Sequence, residues 1–111
     1  MPETEFSAVR TTPRFSFIAE AEVLGVLDGT RVVARVSELS SRGCYVDTIY
    51  PFPMGIDLRL RIRYGCSTCE LPAKVIYTHS GFGMGVLFGE PAVEHRITLD
   101  AWLDELARKS G

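Results

Sequence analysis

Arg10-Thr11-Thr12-Pro13-Arg14 sets two guanidinium groups four residues apart, immediately ahead of the first apolar run. A guanidinium fork suits phosphate oxygens and guanine edges, where an ammonium would supply charge alone. Ten of the twelve basic residues are Arg. A second polar pattern, Ser40-Ser41-Arg42-Gly43 led by Glu38-Leu39, has x-x-S-x-x-G spacing between two strand-like runs. Neither pattern is specific alone: Arg31/Arg35 and Arg59/Arg63 repeat the arginine spacing, and Ser80/Gly83 repeats the Ser–Gly spacing. Cys66-Ser67-Thr68-Cys69 has the spacing of a zinc knuckle or redox pair. A structural zinc site needs four ligands, though, and Cys44, His79 and His95 are scattered, so the segment reads as a turn and no metal is expected. Arg59, Arg61 and Arg63 alternate along one strand as a solvated face. No Ser sits in a nucleophile elbow, and the glycines of Gly81-x-Gly83-x-Gly85 lead into a strand rather than a helix. His79 and His95 are isolated and read as surface residues. An enzyme is not expected.

The chain that positions these groups has 111 residues, 46% of them hydrophobic and 23% charged, which excludes general disorder and fits one domain with a real core. The net charge of −2 argues against non-specific binding to nucleic acid or anionic membranes. No apolar run approaches the roughly 20 residues of a membrane span, and Met1 to Thr12 has no apolar core of a signal peptide. A cytoplasmic chain with reduced thiols is the expectation.

Hydrophobic periodicity is mostly two. Strands are predicted over Phe15–Val26, Arg31–Ser37, Cys44–Ile49, Asp57–Tyr64, Glu70–Thr78 and Met84–Phe88. Asp28-Gly29 reads as a two-residue primed turn, with Leu27 facing Thr30. That register sets Glu22 opposite Arg35, Val23 on Ala34 and Ala21 on Val36. Glu38 to Gly43 reads as a polar turn. Residues 91–108 are predicted helical, because Leu99, Trp102, Leu103 and Leu106 form an apolar stripe. The expectation is an all-β domain with one C-terminal helix, a six-stranded antiparallel β-barrel spanning 1–111, with 1–13 a flexible leader.

The order of these features, from arginine pair through hairpin and Ser–Gly turn to Gly83-Met84-Gly85-Val86-Leu87-Phe88, resembles the PilZ domain family over roughly Val9 to Leu106. The resemblance implies a split barrel that receives the bacterial messenger cyclic di-GMP. The family's R-x-x-x-R falls on Arg10 and Arg14, and its Asp/Asn-x-S-x-x-G falls on Glu38, Ser40 and Gly43. Glu38 departs by one methylene; a Glu still accepts from guanine N–H donors at a different reach. On this likeness the arginines hold guanine or phosphate, the Ser40 hydroxyl and turn amides complete a polar cradle, and Gly43 permits positive φ or close approach. No other cofactor is implied. The partners implied are cyclic di-GMP and a downstream protein of motility, pilus or exopolysaccharide machinery, without nucleic acid or membrane insertion. The alternative is a degenerate PilZ-like interaction module that binds no nucleotide.

Overall fold

The computed structural model describes residues 12–110; Arg10 and most of the predicted leader lie outside them. Six antiparallel strands follow in order: β1 Phe15–Gly25, β2 Arg31–Leu39, β3 Gly43–Asp47, β4 Asp57–Tyr64, β5 Ser67–His79 and β6 Gly83–Phe88. The helix α1, Val93–Ser110, closes the chain. The strands form a closed barrel in the order β1-β2-β3-β6-β5-β4, so no edge is left open.

Alternation fills the barrel. Phe17, Ala19, Ala21 and Val23 of β1 point inward with Leu58, Leu60 and Ile62 of β4 and Cys69, Leu71, Ala73 and Val75 of β5. Arg59, Arg61 and Arg63 stand on the outer face, where Arg61 pairs with Glu70 and Arg63 with Glu20. The helix seals one end. Leu99 and Trp102 are buried, and the Trp102 ring lies 5.5 Å from Phe17 and 5.7 Å from Tyr64. The helix starts at Val93 rather than at Pro91, because the Ala92 carbonyl accepts the first bonds, from His95 and Arg96 N–H.

Three expectations are corrected. Glu22 faces Val33, and Arg35 faces Glu20; Ala21 lies on Ala34 and Val23 on Val32. Gly25 N–H bonds to the Thr30 carbonyl, so four residues, Val26 to Gly29, lie inside the closing pair, not two. Gly29 N–H bonds to the Gly25 carbonyl, Thr30 N–H bonds to Asp28 Oδ1, and Gly29 takes φ 72°. The slip is by two residues, so each side chain keeps its predicted face. The tight two-residue turn is Gly65-Cys66 instead, with Tyr64 paired to Ser67 and Gly65 at φ 61°. Finally, His95 is not on the solvent side. Its Nδ1 accepts from Glu70 N–H at 3.1 Å and its carbonyl accepts from the Cys69 thiol at 3.3 Å, which fastens α1 to β5.

Candidate functional site

Glu38 does not lie in a turn: it is the penultimate residue of β2, paired with Ser16 on one side and Tyr45 on the other. Tyr45 pairs in turn with Gly85, and Gly85 with Tyr77. Ser16, Glu38, Tyr45, Gly85 and Tyr77 therefore form one row across five strands on the outside of the barrel. The register shifts in β1, β2 and β5 all fall beside this row. Bulges bend a sheet and re-aim its side chains, so the row lies on a locally reshaped surface.

Arg14 precedes β1 by one residue, and its Nη1 stands 3.4 Å from Glu38 Oε1. Both side chains are 44% exposed, so the pair is worth less than about 1 kcal/mol and can be exchanged for a ligand contact. Arg14, Glu38, Ser40, Gly43, Tyr45 and Tyr77 line a common cleft. Its free volume is about 20 Å³, room for roughly one water. Anything the size of a nucleotide must lie across this surface rather than inside it.

Ser40 is almost wholly buried. Its Oγ accepts from Arg42 N–H at 3.2 Å and Gly43 N–H at 3.1 Å and donates to the Gly43 carbonyl at 3.2 Å. The hydroxyl thus holds the turn together. Gly43 is not at positive φ; of the two reasons for a glycine, close approach is the one present, since a Cβ there would strike the Val86 carbonyl of β6. Gly85 is needed likewise: the Tyr77 ring occupies the space where its side chain would be.

The tyrosines were not among the residues picked out by motif. Tyr45 and Tyr77 flank Gly85, their rings 6.2 Å apart, and Tyr45 Oη hydrogen-bonds His79 Nδ1 at 3.0 Å. Burial raises the Tyr77 hydroxyl above its ordinary pKa; nearby Arg14 opposes this and Glu38 adds to it. The Tyr77 hydroxyl thus lies within electrostatic reach of both charged side chains. The sequence signal was an aromatic on each side of a glycine, visible only once β3, β6 and β5 are known to be adjacent.

Among the described residues no group of three or more His, Cys, Asp or Glu is placed to hold a metal ion. Cys69 is buried, whereas Cys66 is exposed in its turn. No described helix is long and apolar enough to cross a membrane.

The PilZ domain profile matches residues 8–105. The chain belongs to the PilZ domain family. No curated protein sequence matches this PilZ domain significantly. Among solved structures it resembles the PilZ domain of CeSA from a cellulose-synthesising bacterium, at 17% identity and TM-score 0.71, covering 86% of this chain and 99% of that one. It also resembles the PilZ domain with c-di-GMP of YcgR from Escherichia coli, at 15% identity and TM-score 0.72, covering 91% and 93%. A third likeness is to the Bacillus subtilis inhibitor of motility MotI/DgrA, at 19% identity and TM-score 0.73, covering 91% of this chain and 51% of that one. These likenesses establish the six-stranded barrel with its terminal helix. PilZ domains are a family of cyclic di-GMP receptors, known as binding and adaptor modules rather than enzymes.

Proposed function

We propose that this PilZ domain binds cyclic di-GMP across the outer face of the barrel and relays the signal to a downstream protein. The observation that carries the reading is that Arg14, more than twenty positions earlier in the sequence, meets Glu38, Ser40 and Gly43 on one cleft. In this reading Arg14 exchanges Glu38 for a guanine edge or phosphate, and Arg10 closes over the ligand from the leader. Glu38 accepts from guanine N–H donors, while Ser40 and Gly43 act by holding the turn in shape. Tyr45 and Tyr77 present an apolar, aromatic surface to the ligand's flat bases. The chemistry is binding alone, and the implied location is the cytoplasm. The partner belongs to motility, pilus or exopolysaccharide machinery, in keeping with the motility inhibitor and the cellulose-synthesising organism among the structural neighbours.

A second reading, a PilZ interaction module without nucleotide, is favoured by one feature: the Glu38 carboxylate and the Ser40 hydroxyl already have partners within the protein.

Calorimetry with cyclic di-GMP, against cyclic di-AMP and GTP, separates the two. One bidentate arginine contact is worth about 1–3 kcal/mol, so Arg10→Ala and Arg14→Ala should each weaken binding by roughly five- to 150-fold. Arg61→Ala should change little, because its partner Glu70 lies elsewhere on the barrel. Glu38→Asp should strengthen binding, and added salt should weaken it. Absence of binding near ~1 mM, about −4 kcal/mol, in both wild type and Glu38→Asp would leave only the interaction module.

A further inference from the structure

The Ser40–Gly43 turn separates two depressions. The signature cleft lies on one side; on the other is a groove of about 360 Å³ between the turn, the end of β6 and the first turns of α1. Half-buried Phe88 offers apolar surface there, with Leu71 and Leu99 fully buried beneath it. Arg42 from the turn and Arg96 from the helix border it. Arg42 is exposed and makes no ion pair with any described acidic residue. Among the described residues Arg96 pairs only with Glu90, at 3.4 Å, and that carboxylate is 86% exposed, so the pair is weak and exchangeable. Two guanidinium groups beside a partly exposed aromatic ring suit a segment that carries carboxylates next to a large apolar side chain.

The chain contains such a segment, Glu3-Thr4-Glu5-Phe6. Its charge is opposite to that of Arg42 and Arg96, which outnumber the one acidic lining residue, Glu90, and Phe6 supplies the apolar group. Phe6 lies six positions before Thr12, a reach of about 20 Å when extended. The target is near: Arg14 lines the signature cleft with Ser40 and Gly43, and Arg42 belongs to the same turn.

We propose that Glu3–Phe6 docks in this groove, with Phe6 against the accessible face of Phe88 and the two glutamates against Arg42 and Arg96. The consequence is geometric and rests on the receptor reading. Phe6, Arg10 and Arg14 are spaced four residues apart. A strap held at Phe6 on one side of the turn and at Arg14 on the other carries Arg10 over the turn between them. Part of the ordering cost of bringing Arg10 to a nucleotide is then met before the nucleotide arrives.

The test is nuclear magnetic resonance on the full chain without nucleotide. Docking predicts nuclear Overhauser contacts from the Phe6 ring to the Phe88 ring. It also predicts shifts of the Arg42, Gly89 and Arg96 amides in Phe6→Ala. Glu3→Arg with Glu5→Arg should abolish the contacts. Adding Arg42→Glu and Arg96→Glu should restore them, with the dispersion of the strand amides reporting that each variant is folded. No contact from Phe6, together with groove amides unmoved by Phe6→Ala, would overturn the proposal, and would leave the groove to another protein's segment. These readouts need no nucleotide, so they stand or fall apart from the receptor reading. If cyclic di-GMP does bind, Phe6→Ala should weaken it by about three- to tenfold; unchanged affinity would refute the strap.

Discussion

Residues of one motif do different physical work here. Arg14 and Glu38 are half-exposed and loosely paired, whereas Ser40 and Gly43 are built into the turn. Ser40→Ala should therefore cost about 1–3 kcal/mol, since it leaves the buried Gly43 N–H without its acceptor. Gly43→Ala should cost a similar ~1–3 kcal/mol by forcing β3 away from the Val86 carbonyl. Arg14→Ala should leave stability within about 1 kcal/mol of wild type. Urea midpoints at unchanged m-value measure all three. Equal stability of Ser40→Ala and wild type would mean that the hydroxyl is free for ligand rather than committed to the turn. At this scale the motif letters were legible in the sequence, but which of them touch solvent was not, because burial depends on β6 passing behind the turn.

Among the elements, α1 is the one whose loss the barrel can least absorb, because it seals an end of the core. Trp102 packs against Phe17 and Tyr64 there. Trp102→Ala should cost about 3–5 kcal/mol, the range for emptying a large aromatic site, and a chemical denaturation curve reads it directly. A loss under about 1 kcal/mol would show that the helix is a peripheral attachment. Strand positions were legible from alternation, and β4 matches its predicted bounds, Asp57–Tyr64. The β1–β2 register was not. Asp-Gly favours a two-residue turn locally, yet Asp28 spends its carboxylate on Thr30 N–H and the loop widens to four residues. Arg35 still faces a glutamate on β1, now Glu20, but its ion pair is with Asp47 on β3, Nη2 2.9 Å from Oδ2. His95 was misread for a related reason: helix periodicity gives a face, but only the docking of α1 on β5 supplies the Glu70 N–H that its ring accepts.

Taken as a whole, the molecule buries acidic groups that prefer to stay protonated. Burial, with Glu70 alongside, pushes the Cys69 thiol from 9.0 to about 11; burial raises the Cys44 thiol further and also lifts Tyr45 and Tyr77. Each of these groups holds its proton to higher pH in the folded chain than in the unfolded one. The native state therefore binds more protons above pH 9, and stability falls as pH rises. The stabilisation is complete below about pH 9 and is lost toward pH 11 as Cys69 titrates. Urea midpoints at pH 7.5, 9 and 10.5 should descend in that order, and Cys69→Ala should flatten the descent. A level midpoint across the range would contradict the assignment.

Local patterns determined the elements: alternation marked the strands, the Leu99/Trp102/Leu103/Leu106 stripe marked the helix, and two short motifs marked the candidate site. Each depends on neighbours within a few residues, so the chain order alone carries it. Closure of the barrel decided the rest. It set the Ser16–Glu38–Tyr45–Gly85–Tyr77 row, whose members span 70 positions of sequence, and made the tyrosines part of the site. It turned Ser40 inward, gave Gly43 a close neighbour rather than a positive φ, and opened the groove between turn and helix. These are contacts between strands far apart in sequence, and their register is set by loop geometry and bulges that no single strand encodes.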